Sequence, residues 1–505
     1  MSAEIGVRHT RCWTGGELLS GPADTTFTGV GIDTRSLSQG ELFVAIRGPH
    51  HDAHGFLAQA VERGATGLLV NRGAVPAEAL HALPAQVAVV AVDDTTAALG
   101  ALATGHRRRF DGPLVAITGS NGKTTTKEMC AAILSRRHAC LKTKGNLNNE
   151  YGLPLTLLRR TDAHQCAVVE LGMNHRGEIA RLARIAMPTV ALVTNVGTAH
   201  IGNLGSREEI AREKTDLFAA LGPEGTAVVN RDDPLVAARA DRAPGRIVGF
   251  GHDPSADVRA ESVRFLDRGA FAFELITPEG RRPIEIPGLA ETVVINALAA
   301  SAAALEAGAG LDDVQEALAD FENVQGRMAR RALPGPVMLI DDTYNANPQS
   351  MRAALETLSQ LKGGGRGFAV LGDMGELGDG AERAHRDVGR WAAELGVDFL
   401  MAVGSRAEAM AEAATQAGLD PACVRSLADA GDEGDDAGRM LAALLRPRDW
   451  VLVKGSRAMR MERVVESVAR QLGARDAQAA HAPGPRAPAG SDPRPENDSN
   501  EREAR

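Results

Sequence analysis

Short, continuously apolar runs recur along this chain, and most are separated by stretches whose apolar positions follow a helical period. In the first block, "ELFVAIRG", "TGLLV" and "VAVVAV" read as strands around the helix-like "HGFLAQAVERGA". The basic run His106–Arg109 then leads into "FDGP", a turn signal that predicts a linker. From Pro113 to about Arg331, "LVAIT", "CAVVEL", "TVALVTNV" and "TAVVN" precede the helical "INALAASAAALEAG". A second alternating block carries "VMLIDD", "GFAVLGDM", "DFLMAVG" and "WVLVKGS", each followed by a helical stretch. Apolar runs without polar alternation predict parallel strands covered on both faces. The expected class is therefore α/β, in three domains over residues 1–111, 112–331 and 332–473. Residues 474–505 are Ala, Pro, Gly and charge with almost no large apolar side chain, which predicts a disordered tail.

The polar positions add a second pattern. Lys123 and Thr124 follow "LVAIT", Glu170 ends "CAVVE", and Asn195 ends "TVALVTN". Asp341, Asp342, Asp373 and Lys454 stand at strand ends in the second block. In open parallel sheets, ligands bind outside the carboxyl ends of the strands, so these residues predict a cleft. Two blocks facing each other would close over a ligand.

Composition narrows what that ligand can be. At 505 residues, the length fits about three domains. A net charge of −9 provides no basic surplus for nonspecific nucleic-acid binding, and 3% aromatics provide few stacking platforms. Cys12, Cys130, Cys140, Cys166 and Cys423 are scattered and form no CxxC pair, which points to a reducing cytoplasm without a disulfide framework. No apolar segment has the length to span a bilayer and no signal peptide is visible, so a cytoplasmic protein with no membrane insertion is expected.

The chemistry begins at "VAITGSNGKTTTKEMCAAIL". Gly119 and Gly122 let the backbone turn tightly and aim amides at an anion, and the following helix adds its positive end. Lys123 would neutralise the β- and γ-phosphates while the Thr124 hydroxyl ligates Mg²⁺. The bland alternative is a Gly/Asn turn before an ordinary helix, but strand, loop and helix in this order favour phosphate binding. A carboxylate such as Glu170, ending a neighbouring strand, could hold the same cation. For His200, in a glycine-rich loop, and Lys214, on an amphipathic helix, solvated side chains are the simpler reading of the residues themselves.

Taken together, "TGSNGKTTTKEM", "VVELGMNHRGEI", "TNVGTAHIGNLGS", "REKTDLF", "INALAA" and "LIDDTYNANPQSM" resemble, in order and spacing, the Mur ligase family, over about residues 25 to 470. These are ATP-dependent amide-bond ligases of peptidoglycan precursor synthesis. The family's loop has the form TGxNGK[ST], which makes Gly119 its first glycine. "DDTYNANP" with "VLGDMGELG" most resembles members that add D-alanyl-D-alanine to UDP-N-acetylmuramoyl-tripeptide. The resemblance implies a UDP-binding N-terminal domain, a central ATP-binding domain, and a Rossmann-like C-terminal domain closing as a lid. It also implies a working monomer.

By the same resemblance, Gly119, Ser120, Asn121, Gly122, Lys123, Thr124 and Thr125 would wrap the triphosphate. Thr124, Glu170, His200 and Lys214 would hold magnesium, with Lys214 at the place of a lysine often carbamylated by CO₂. Lys123, His200 and Lys214 are the implied catalytic residues. Asn296 would contact adenine, Arg327 would lie near the nucleotide, and Asp342 would bind the ribose. Thr34, Arg35 and His54 would lie near the uridine diphosphate. Asn148 and Asn149, with Tyr344, Asn345 and Asn347 of the second block, would contact the peptide substrates. Two departures stand out: Thr292 and Val293 replace the family's usual His-Asn ahead of Asn296, and "HHDAH" replaces a commoner DGH.

The implied reaction passes through an acyl phosphate, which the amine of the dipeptide then attacks. Cations must relieve the repulsion between carboxylate and triphosphate. Water must be excluded, because acyl phosphates hydrolyse. The rivals are a sister ligase adding one amino acid (diaminopimelate or lysine), a folylpolyglutamate synthase, and a P-loop ATPase acting as a conformational switch.

Overall fold

The computed structural model describes residues 5–481 apart from His50 and Arg268. The first block forms a five-stranded sheet in the order Glu17–Ser20, Ala88–Val92, Gly67–Asn71, Leu42–Val44, Val30–Gly31. Only its first pairing is antiparallel. Ile5–Gly6 and Thr26–Phe27 make a small separate ribbon.

In the central block, Leu114–Thr118 lies between Cys166–Glu170 and Val190–Val193, all parallel. The register sets Glu170 opposite Ile117 and Val193 opposite Thr118. The three strands therefore end side by side, and every residue in them is buried, as their continuous apolar runs require. Cys140–Lys142 forms one edge of this nine-stranded sheet.

Beyond Arg246–Gly251 the sheet continues through Val258–Leu266, Ala270–Thr277 and Gly280–Pro287, the last two antiparallel. These three lie outside the strands that the apolar runs predict. Val258–Leu266 and Gly280–Pro287 mix charged with apolar residues, because one face is open while the other packs on the helices Thr292–Glu306 and Leu311–Ala319; Ala270–Thr277 between them is mostly apolar and buried.

The third sheet has the order Ala329–Leu333, Val337–Asp342, Trp450–Lys454, Gly367–Gly372, Phe399–Val403, Val424–Leu427, parallel except for its first pair. It begins at Ala329, ahead of the division expected between 331 and 332. At the other end, the last helix runs from Glu462 to His481, so residues 474–481 of the expected tail are helical. The reason is local: Ala, Arg and Gln favour helix, and Arg475 donates to the carbonyls of Ala442 and Leu445. The rest of the expected tail lies outside the described residues. No described helix is long and apolar enough to cross a membrane.

Candidate active site

Gly119 adopts φ +152°, and a Cβ there would lie 1.8 Å from Thr194 Oγ1. Gly122 has φ +82°, with Asn296 Oδ1 only 2.3 Å from where its Cβ would stand. Both positions need glycine for conformation and for space. The loop between them is held from the neighbouring strand exit. Ser120 N donates to Asn195 O at 3.0 Å, Asn121 N to Asn195 Oδ1 at 2.9 Å, and Gly197 N to Ser120 Oγ at 2.8 Å. The helix Lys123–Leu134 then starts with no side-chain cap, which leaves its first amides and its positive end to the cleft.

Two lysines converge on one carbonyl. Lys123 Nζ lies 2.8 Å and Lys214 Nζ 3.0 Å from Gly119 O. Burial lowers the pKa of both, and the Lys123 charge pushes Lys214 further, well below the ordinary lysine range. Lys214, on the helix Arg207–Ala219, is buried rather than on the solvated face that a sequence reading of its helix favours.

Beside them, Thr124 Oγ1 donates to Glu170 Oε2 at 2.9 Å and accepts from Arg327 Nη2 at 3.1 Å. Asn148 Nδ2 donates to the other Glu170 oxygen at 2.8 Å. The Arg327 guanidinium stacks 3.8 Å above the Tyr344 ring. Asn347 caps the helix Pro348–Leu361 through Ser350 N and donates from Nδ2 to Asn121 Oδ1 at 2.7 Å. His200 Nδ1 lies 2.5 Å from Glu376 Oε2 in the third block. These residues surround a cleft of about 890 Å³ between the central and third sheets.

Profiles of three Mur ligase regions match the chain: the family's catalytic domain over residues 26–107, its middle domain over 117–304, and its glutamate ligase domain over 326–457. The UDP-N-acetylmuramoyl-tripeptide–D-alanyl-D-alanine ligase of Escherichia coli (strain K12) is 37% identical over 459 residues, covering 88% of this chain and 94% of that protein. The chain belongs to the Mur ligase family. A crystal structure of MurF from Acinetobacter baumannii superposes with a TM-score of 0.83 at 36% identity, covering 93% of this chain and 99% of that one. The MurF ligase of Thermotoga maritima, solved in complex with ADP, gives 0.77 at 28% identity, covering 88% and 98%.

Most residues implied by the Mur ligase resemblance meet at the cleft. Ser120, Asn121, Gly122, Lys123 and Thr125 line it with Asn148, Asn149, Glu170, His200, Lys214, Asn296, Arg327, Asp342, Tyr344, Asn345 and Asn347. Gly119 and Thr124 bond to residues of that lining. Thr292 and Val293, where the family usually has His-Asn, line it too.

Some side chains are committed locally. Asn149 Oδ1 accepts from Tyr151 N and Gly152 N, stabilising the start of the helix Gly152–Leu158. Asp342 is ion-paired to Lys454 at 2.6 Å, and the Lys454 ammonium also donates to Asn345 O.

Thr34, Arg35 and His54 stay outside the cleft, in the first domain. Thr34 donates to Gln59 at 2.8 Å, and Arg35 is exposed and paired with Asp33, whose carboxyl it holds down to about 2. His54 is held between Asp52 and Asn71 N.

Two functional contacts are not implied by the sequence: Glu376, within "VLGDMGELG", at His200, and Lys454 at Asp342. A strand-end lysine was visible; which aspartate it meets is set by the parallel register of Val337–Asp342 and Trp450–Lys454.

For magnesium, no group of three or more His, Cys, Asp or Glu converges among the described residues. Thr124 and Glu170 set two hard oxygens beside the phosphate loop, which suits an ion bound by one carboxylate, water and phosphate.

Proposed function

We infer that this chain is an ATP-dependent ligase joining D-alanyl-D-alanine to UDP-N-acetylmuramoyl-tripeptide, yielding the UDP-muramoyl-pentapeptide precursor of peptidoglycan in cell-wall synthesis. The observation that carries this reading is the match to the Escherichia coli ligase over nearly the full length of both chains. ATP and magnesium are its cofactors, and the ADP complex of the Thermotoga maritima relative supports the nucleotide.

The geometry fits the chemistry. Lys123 and the start of its helix would take the phosphates, and Arg327 adds a second cation beside Thr124. Thr124 and Glu170 would hold magnesium, which supplies charge neutralisation where carboxylate and γ-phosphoryl meet. The tripeptide carboxylate oxygen would attack the γ-phosphorus of ATP and expel ADP, giving the acyl phosphate; the dipeptide amine would then attack the acyl carbon, expel phosphate and lose a proton to leave the amide. Asn347 on Asn121 and Glu376 on His200 bring the third domain onto the central one, and that contact would limit water at the reacting carbonyl.

The residues proposed for the UDP end are Thr34, Arg35 and His54; for the peptide end, Asn148, Asn149, Tyr344, Asn345 and Asn347. The three sheets support a division into a UDP-binding, an ATP-binding and a Rossmann-like lid domain. A cytoplasmic monomer is proposed, consistent with scattered free cysteines and a cleft completed within one chain.

The test is phosphate release from ATP with each substrate omitted in turn. Release should require both the UDP-tripeptide and D-alanyl-D-alanine. Release with a single amino acid would favour the sister ligase, and release with no acceptor would favour an ATPase switch. Comparing diaminopimelate- and lysine-containing tripeptides identifies the accepted third residue.

A further inference from the structure

Lys127 lies one turn beyond Lys123 on the loop helix and is fully buried. Burying an ammonium carries a desolvation cost that a methionine of similar length would avoid. Its bonds lead toward the site. Nζ donates to Thr143 O at 2.8 Å and lies 2.6 Å from Glu128 Oε1, while Glu128 also holds Lys142 at 2.5 Å. The Thr143 hydroxyl oxygen accepts from Glu170 N at 3.0 Å.

Five residues further on, Asn148 O accepts from Gly172 N at 2.8 Å, and its side chain donates to Glu170 Oε1. A Cβ on Gly172 would lie 2.8 Å from Asn148 Oδ1, so the carboxamide rests directly on that glycine. The segment from Thr143 to Asn148 is thus pinned at both ends around the exit of the strand Cys166–Glu170. Asn148 and Glu170 line the cleft, whereas Lys127 does not.

We propose that Lys127 is a positioning residue: it ties the phosphate-loop helix to the segment presenting Asn148 and Glu170, fixing the nucleotide relative to the peptide carboxylate. The proposal rests on the ligase reading above and names a residue that acts on the reaction without touching a substrate.

The test compares Lys127→Met, Asn148→Ala and the double variant with wild type. It measures ADP affinity, unfolding midpoint, and kcat and KM for the UDP-tripeptide. Lys127→Met should keep ADP affinity within about twofold and lower kcat/KM about tenfold or more. Added to Asn148→Ala, it should cost less than about threefold further, because the group it positions is already gone. Losses that multiply, or a Lys127→Met enzyme with wild-type kcat/KM, would overturn the proposal. Should Lys127→Met fail to fold, Lys127→Gln removes the ammonium and shortens its reach to Thr143 O while keeping a polar group in the buried site, and the same cycle with Asn148→Ala decides. A wild-type protein lacking D-alanyl-D-alanine-dependent phosphate release would overturn the ligase reading and this proposal with it. Multiplying losses in an active enzyme overturn this proposal alone.

Discussion

Two seams join the three sheets, and they are made differently. Between the first and central blocks a single apolar core runs through, with Leu42, Val90, Leu99 and Leu102 clustered with Leu114, Val169, Leu182 and Phe218. Arg107 is buried in that seam, and its guanidinium donates to the carbonyls of Phe110, Ala186 and Met187. Between the central and third blocks the cores are separate and meet at Ile201 and Leu289. There the joints are polar: Asn347 to Asn121, Thr198 to Gln349, His200 to Glu376, and Gly202 N to Glu376 O. Apolar burial has no substitute in water, whereas a surface hydrogen bond exchanges for water at small net cost. The first two blocks are therefore expected to behave as one body, with the third as the part that moves and the reaction set in the seam that opens.

The largest effect should come from the polar seam. Lys123→Ala removes the cation proposed to meet the phosphates and should lower kcat about a hundredfold or more, while the unfolding midpoint stays near wild type. Near-normal ligation by a folded variant would break the ATP reading. Lys214 follows. Its amine is pushed toward neutrality by burial and by Lys123, the state needed to capture CO₂ as a carbamate with oxygens suited to magnesium. We expect Lys214→Ala and Lys214→Arg to lose most turnover with ADP binding retained, and acetate to restore part of it in the alanine variant. Normal turnover with arginine would refute the carbamate.

The contrast also explains what the sequence could and could not reveal. Strand-end chemistry was legible because continuous apolar runs fix where Leu114–Thr118, Cys166–Glu170 and Val190–Val193 stop, and Lys123, Glu170 and Asn195 follow or end them. Pairings across the polar seam were not legible. His200–Glu376 and Asn347–Asn121 depend on how two domains dock, and no local period encodes that. The strands Val258–Leu266 and Gly280–Pro287 were not legible because their many charged positions read as surface, and without them nothing marks Ala270–Thr277 as part of a sheet. The burial of Lys127 and Lys214 was not legible, because a lysine on an amphipathic helix looks solvated until its neighbours in space are known; Lys214 is named only by the family resemblance.

Two further variants separate the seams. Arg107→Met leaves three carbonyls without their partner, two of them at the C-terminal end of the helix Glu178–Ala186, and should cost about 3 kcal/mol of stability. The urea midpoint should fall while kcat/KM of the folded enzyme holds. An unchanged midpoint would mean the apolar core alone fixes that seam. Asn347→Ser should do the reverse. Serine can still cap the helix Pro348–Leu361 but cannot reach Asn121, so stability should hold and kcat/KM should drop about tenfold. Equal loss of stability and activity would show that the third block is not an independent lid.

The smallest effect sharpens the comparison through pH. His106 is buried in the apolar seam, with Nε2–H donating to Arg160 O at 3.2 Å, and burial pushes its pKa from 6.5 down to about 4. Below pH 6.5 the unfolded chain takes up a proton that the folded chain refuses until about pH 4. Its contribution is therefore intact above pH 6.5 and is lost as pH falls, by about 1 kcal/mol at pH 5.5. A glutamine can keep a donor toward Arg160 O but cannot titrate. Urea unfolding of wild type and His106→Gln at pH 7.5 and 5.5 isolates this group, because every other titration is common to both proteins. The stability difference should shift toward the variant by about 1 kcal/mol on acidification. A difference that does not move with pH would mean that His106 is hydrated or already charged in the folded chain, and the seam would then be less dry than its apolar packing requires.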